Sequence, residues 1–179
     1  MELEQALSCE RRIETCDPAL DDPRQIAEAV IELCRYWERS FRSVEMEGQL
    51  GAPDWMGYEL RIWRLGESLR LFCKKRGWRG NGPILEAATS LIARPEYGKG
   101  RQSVALLVGE MGGVDYSAAL GRAIDDPEIC GHAIKALTKL RVAGFASQVA
   151  AVQAREAGWV RRAARKYLEV VGHSPSVAP

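Results

Sequence analysis

Apolar residues recur at intervals of three or four along most of the chain, and this period predicts an all-α fold. The clearest stretch follows Asp22 and Pro23, which are suited to the N-cap and the first turn of a helix. Its apolar positions are Ile26, Val30, Leu33, Cys34, Trp37, Phe41 and Val44. Nowhere do apolar and polar residues alternate over a convincing length, so we predict helices without strands.

Capping and turn residues divide this pattern into nine predicted helices. Asp54 can cap the third helix, Gly77 ends it, and Pro83 opens the fourth. The string Asp-Asp-Pro occurs at 21–23 and again at 125–127, each time directly before a predicted helix whose free amide groups need acceptors. The predicted ranges are about 3–16, 23–47, 54–77, 83–93, 101–111, 115–124, 128–140, 145–156 and 159–171, and residues 173–179 are predicted to form a disordered tail.

Three segments of the second half are variants of one short helix. They begin at Arg101, Glu128 and Gly158, and the offsets that align them are 29 and 31 residues. The alignment produces three columns: Val104, Ala133 and Ala164; Leu107, Ala136 and Tyr167; and Val108, Leu137 and Leu168. A period near 30 with small residues at packing positions is typical of stacked helical hairpins, because one hairpin cannot bury its apolar face alone.

This order of a short helix, Asp-Asp-Pro, and a second helix with small residues and an arginine-rich outer face resembles HEAT-like repeats. The closest likeness is to the short type found in phycobilisome lyases and bacterial scaffold proteins. It rests on ALGRAIDDPEICGHAIKALTKL and WVRRAARKYLEVV and covers about residues 99–172. The resemblance implies an α-solenoid of helical hairpins. The longer helices before residue 98 depart from it, so we expect one all-helical domain over 1–172, with 1–97 as an irregular N-terminal cap on repeats at 98–172.

Composition fits one soluble globular unit of 179 residues, 46% apolar and 27% charged, with a net charge of +1. The first twelve residues carry charges every few positions, and no run of about 18 apolar residues occurs, so we expect a cytoplasmic protein without a signal peptide or membrane span. The five cysteines are odd in number and form no Cys-x-x-Cys pair, which favours reduced, packed thiols.

The near-neutral total hides a charge asymmetry. Residues 1–59 hold 14 Asp and Glu against 6 Lys and Arg, a balance of −8, and the remainder of the chain has a balance of +9. An acidic end of this kind can attract the basic remainder, a neighbouring copy or a basic partner. Ordinary solvated helix faces explain it equally well.

The chain offers little material for a catalytic set. Its histidines are His132 and His173, and Cys130 and His132 are two positions apart on a predicted helix, so they point in different directions. The glycine-rich strings at 77–83 and 109–113 do not match a phosphate loop. Glu110 and Glu156 are possible acids without an evident partner group. We therefore assign no catalytic residue, cofactor or metal, and a lyase-type enzyme stays an alternative.

The third predicted helix is the best indication of a protein interface. Ile62, Leu65, Leu69, Phe72 and Cys73 share one arc, and Leu60, Trp63 and Leu71 form a second arc nearly opposite. Sandwiching between other helices is the simpler explanation; otherwise Trp63 is a candidate contact residue. The candidates near the helix ends are Trp55, Tyr58, Trp78 and Arg79, for which local packing is an equal explanation.

A basic ridge is the second candidate surface. If the helix faces follow the repeat, Lys135, Lys139, Arg162 and Lys166 form it, Arg101 extends it, and Arg161 and Arg165 adjoin it. The resemblance adds that some HEAT-like glycosylases grip DNA in a basic concave face. Against this stand the acidic first third and aromatic residues that do not interleave with the ridge in sequence.

These patterns together favour a HEAT-like module that binds another protein and performs no chemistry. A bacterial immunity protein that neutralises a toxin and an adaptor or scaffold both fit this class, and the acidic first third would suit a basic toxin. Nucleic-acid binding through the basic ridge is the alternative. The oligomeric state and the partner stay open.

Overall fold

The computed structural model describes residues 1–43 and 57–172. Within these ranges it contains nine α-helices and no strand, which confirms the all-α prediction. The helices are α1 (Leu3–Glu14), α2 (Pro23–Ser43), α3 (Tyr58–Arg76), α4 (Gly82–Ile92), α5 (Arg101–Met111), α6 (Ser117–Arg122), α7 (Cys130–Leu140), α8 (Ala146–Arg155) and α9 (Gly158–Gly172). Short 3₁₀ turns precede α5, flank α6 and precede α8. The predicted end of α2, the proposed cap at Asp54 and the predicted tail lie outside the described residues.

Local chemistry explains the helix ends. The Asp22 carboxylate accepts the amide of Arg24 at 2.8 Å at the start of α2, as the sequence predicts. The second Asp-Asp-Pro caps in the same register, since Asp126 Oδ1 accepts the amide of Glu128 at 3.0 Å. A turn over residues 127–129 follows, so α7 begins at Cys130, two residues after the predicted start. Gly77 ends α3 with a φ of 68°, a left-handed conformation that glycine adopts at little cost.

The helices form two layers, one of odd-numbered and one of even-numbered helices, and within each layer the helices pack in chain order. In the first layer α1, α3, α5, α7 and α9 pack in sequence, each against the next odd-numbered helix. In the second layer α2 packs against α4, α4 packs against α6, and the 3₁₀ turn after α6 packs against α8. The contacts between α2 and α3, α4 and α5, α6 and α7, and α8 and α9 join the layers. Every odd helix from α3 onward therefore has a face turned away from the second layer.

Small residues allow neighbouring helices of the first layer to approach closely. A Cβ placed on Gly109 of α5 would lie 2.5 Å from the Cα of Ala136 in α7. A Cβ on Gly66 of α3 would lie 2.2 Å from Ser103 Oγ in α5. Real Cβ atoms do not come this close to other atoms, so glycine at these positions sets the spacing of the helices.

The three aligned segments of the sequence correspond to α5, α7 and α9, consecutive helices of the first layer. The residues in the first two predicted columns are buried, and in the third column Leu168 is only partly buried. The earlier helices α2 and α3 are 21 and 19 residues long, whereas α4, α5 and α7 have 11 residues each. Their buried residues join those of the later helices in one continuous cluster. No helix in the described part of the chain is long and apolar enough to cross a bilayer.

Candidate functional site

The free face of the first layer carries a groove of about 990 Å³ to which four consecutive odd helices contribute. We call it the tryptophan groove, because α3 and α9 each supply one indole to its lining. Its lining residues are Trp63, Glu67 and Arg70 from α3, Leu106 and Glu110 from α5, Lys135, Thr138 and Lys139 from α7, Arg141 after α7, and Trp159, Arg162, Ala163, Lys166 and Val170 from α9. Trp63 and the four residues of the predicted basic ridge thus share one surface.

The carboxylates of the groove are neutralised by its own cations. Arg70 reaches Glu67 and Glu110 with separate guanidinium nitrogens, each at 2.7 Å, and Lys139 donates to the second oxygen of Glu110. Burial alone would raise the pKa of Glu110, but hydrogen bonds from Lys139 and Arg70 outweigh it and hold this pKa below the ordinary value. Glu110, for which the sequence showed no partner, therefore has two, and it is ionised at neutral pH.

Four further cations in the groove have no such partner. Lys135, Arg141, Arg162 and Lys166 are exposed, and none of them forms an ion pair with a carboxylate of the described residues. With Glu67 and Glu110 balanced by Arg70 and Lys139, these four side chains leave a net charge of +4 on the lining. Clustered like charges repel one another, so this arrangement favours the arrival of a negatively charged group.

Trp159 of α9 packs against α7 beside these charges. Its ring would overlap a Cβ on Gly131, its centroid is 5.1 Å from the His132 ring, and the Lys135 ammonium is 4.6 Å from it. Burial, with a smaller contribution from Lys135, lowers the pKa of His132 to about 4, so the imidazole packs as a neutral ring. The indole is still 40% exposed and offers apolar surface to a ligand.

The two apolar arcs of α3 have different environments. The first arc is buried, as predicted, in all five of its residues. In the second arc Leu71 is 50% exposed, whereas Leu60 and Trp63 are partly buried, and Trp63 lines the groove. Sandwiching between helices therefore does not account for Leu71.

The remaining aromatic candidates lie outside the tryptophan groove. Tyr58 donates its hydroxyl to the Glu96 carbonyl at 2.6 Å, and the Trp78 ring packs 5.5 Å from Phe72. Local packing thus accounts for both. Arg79 is exposed beside a neighbouring cavity of about 660 Å³ that shares Arg70, Glu110 and Lys139 with the groove. Trp55 lies outside the described residues.

Arg101 does not extend the basic ridge. It is 3% exposed, donates to the carbonyls of Gly98 and Ile92, and forms a 2.7 Å ion pair with Asp126. The expectation was wrong because the position at the start of α5 faces the connection to α7, and not the free face. Asp126 of the second Asp-Asp-Pro thereby links two helical units as well as capping a turn.

The sequence expectation that aromatic residues do not interleave with the ridge was also wrong. Trp159 precedes Arg162 by three residues and Lys166 by seven, a spacing that places all three on one helix face. That signal was readable in the sequence. The sequence did not predict that Arg70 and Arg141 line the groove. Helices α3 and α9 contribute to one groove only because the helices between them stack in order.

No group of three or more His, Cys, Asp and Glu side chains within the described residues has an arrangement that could hold a metal ion. Comparisons of the chain with protein-family models, curated proteins and solved structures returned no significant match.

Proposed function

We propose that this chain is a HEAT-like α-solenoid that acts as a non-catalytic protein-binding module through its tryptophan groove. The packing of each helix against the helix two places along the chain supports the solenoid, because hairpins that stack in register produce this order of contacts. The burial of the aligned columns in α5, α7 and α9 supports a repeated unit. The longer α2 and α3 fit the irregular N-terminal cap.

The observation that carries the proposal is the tryptophan groove. It combines apolar surface from Trp63, Leu106 and Trp159 with exposed cations that form no ion pair with a carboxylate of the described residues. Tryptophan and arginine are among the residues that contribute most to protein interfaces. Protein interfaces combine an apolar centre with a polar rim, and the groove has both kinds of surface.

The groove carboxylates support binding more than proton transfer. Glu67 and Glu110 both accept hydrogen bonds from Arg70, and the low pKa of Glu110 leaves no proton to donate at neutral pH. His132, which packs against Trp159 of the groove, has a pKa of about 4 that makes it a weak base. A lyase-type reaction would need another acid or base.

The charge of the groove also refines the kind of partner. Residues 1–59 suggest a basic toxin, but the net charge of +4 on the groove lining favours an acidic surface. We therefore propose an immunity protein for a toxin with an acidic contact surface, or an adaptor for an acidic protein.

Affinity capture tests the protein-binding role. The tagged chain and the variant with Lys135→Glu, Arg162→Glu and Lys166→Glu would be used as baits in native lysate, each with and without nuclease. A variant with Arg24→Glu, Arg35→Glu and Arg122→Glu is the matched control, because these three arginines are also exposed and lie outside the groove. We expect one protein captured by the wild type and the control, with or without nuclease, and lost with the groove variant. Capture that is equal for all three baits would refute the groove as the binding surface.

Nucleic-acid binding is the second candidate, and the indoles of Trp63 and Trp159 beside unpaired cations favour it. Single-stranded nucleic acids bind to positive grooves in which aromatic rings stack on bases. This candidate predicts that a labelled thymidine 20-mer binds with an affinity that falls steeply as salt rises, and that the groove variant loses this binding. Binding that does not depend on the groove would remove the candidate.

A further inference from the structure

We propose that the occupant of the tryptophan groove is an amphipathic helix of a partner protein, with an apolar stripe flanked by Asp and Glu. This inference rests on the protein-binding function proposed above and specifies the chemistry of the partner. It is carried by the distribution of apolar and charged side chains over the four helices that line the groove.

The apolar side chains define where the stripe would lie. Trp63 lies on α3, Leu106 on α5, and Trp159 and Val170 on α9, so apolar surface extends from one side of the groove to the other. Packed helices lie about 8 to 10 Å apart, and the groove crosses four of them, so its length is about 24 to 30 Å. At 1.5 Å of rise per residue, a helix of roughly 16 to 20 residues has that length.

The cations define where the acidic residues of the bound helix would lie. Lys135, Arg162 and Lys166 are exposed around Trp159, and Arg141 lies at the end of α7. Carboxylates of a bound helix would meet the net charge of +4 and relieve the repulsion among these side chains. A basic or neutral helix would leave that repulsion in place.

A helix suits this surface better than an extended segment. The backbone groups of the lining helices are largely used in their own hydrogen bonds, so an extended peptide would find few backbone partners in the groove. A helix arrives with its backbone groups already bonded and offers only side chains, as helices bound in apolar grooves do. The apolar Leu106 and Val170 give phosphates no favourable contact but can pack against the apolar stripe of a helix, which favours protein over nucleic acid.

A displayed library of helical 18-mers with random surface positions, sorted against the full chain, tests the occupant. We expect enriched sequences that carry leucine or aromatic residues at three- and four-residue spacing with Asp and Glu next to them. Their affinity, measured by fluorescence anisotropy, should fall about tenfold or more for the Lys135, Arg162 and Lys166 charge-reversal variant, which corresponds to about 1.4 kcal/mol or more. The Arg24, Arg35 and Arg122 variant should bind as the wild type does.

The inference would be overturned if basic or uncharged helices were enriched, or if no helix were enriched. It would also be overturned if acidic helices bound both variants equally. Tighter binding of the thymidine 20-mer than of every selected helix would overturn it in favour of nucleic acid. The lysate capture separates this outcome from failure of the proposed function. If a groove-dependent protein is captured while acidic helices fail, the function stands and only the chemistry of the partner is wrong.

Discussion

Three arginines of α1 and α3 and three groove cations of α7 and α9 have opposite surroundings. Arg12 pairs with Asp17 at 2.6 Å, Arg61 pairs with Glu10 at 3.0 Å and lies 4.0 Å from the Trp37 ring centroid, and Arg76 donates to two backbone carbonyls. On α7 and α9, Lys135, Arg162 and Lys166 face the tryptophan groove without a carboxylate partner in the described chain.

This difference distinguishes cations that stabilise the fold from cations that a ligand can contact. Arg61, from outside residues 1–59, neutralises Glu10 of that acidic segment, and Arg76 holds α3 to the turn between α1 and α2. A cation that already has partners must break those contacts before it can bind a ligand, whereas an unpaired cation does not. We therefore expect substitutions at paired arginines to affect stability and substitutions at groove cations to affect binding.

The sharpest test of this comparison is Arg101→Met. Arg101 is buried and paired, so its removal leaves Asp126 and the carbonyls of Gly98 and Ile92 without their donor. We expect the free energy of unfolding, measured in urea, to fall by about 3 kcal/mol. Arg162→Met is the matched control and should change it by no more than about 0.5 kcal/mol. Equal losses in the two variants would show that burial does not distinguish these arginines.

Gly109→Ala tests the packed layer beneath the groove. The added Cβ would lie 2.5 Å from the Ala136 Cα, and a backbone atom cannot move aside as a flexible side chain can. We expect a loss of about 2 kcal/mol in the free energy of unfolding, through separation of α5 from α7. Gly144→Ala is the control, since nothing lies within 4 Å of its added Cβ. A stability equal to that of the control would mean that α5 and α7 are not held at this spacing.

The pH dependence of stability tests the environment of His132. Its pKa of about 4 lies below the ordinary value of 6.5, so the unfolded chain binds a proton more readily than the folded chain. Stability from this group is therefore complete above pH 6.5 and is lost as the pH falls toward 4. Between pH 7 and pH 4.5, the wild type should lose about 1 kcal/mol more than His132→Gln, a figure reduced for partial solvent exposure. If both proteins lost the same free energy of unfolding over this pH range, the pKa of His132 would not be lowered in the folded chain.

The smallest expected effect comes from neutralising the groove. Lys135→Gln, Arg162→Gln and Lys166→Gln together should change the free energy of unfolding by no more than about 0.5 kcal/mol, because the three side chains are exposed and unpaired. Thermal unfolding at low and moderate salt checks this. A large loss would reveal that these cations hold the fold together, and the contrast with the first three helices would disappear.

Much of the fold could be predicted from the sequence because its causes are local. The helical period, the Asp22 cap and Gly77 each act within a few residues, and the model confirms the elements that they predict. The start of α7 differed by two residues because residues 127–129 form a turn, which Asp126 caps, before the helix begins. The candidate site was predicted in parts: Trp63 and the four cations of the ridge were identified separately.

By itself, the sequence determined the helical class, most helix boundaries and the face on which Arg162 and Lys166 lie, since these depend on neighbours three or four residues apart. Only the tertiary structure decided that Arg101 is buried, that Arg70 and Lys139 neutralise Glu110, and that Trp63 and Trp159 share a groove. The physical reason is distance along the chain. Contacts between α3, α5, α7 and α9 depend on how closely glycine and alanine let whole helices approach, and that spacing is a property of the packed layer.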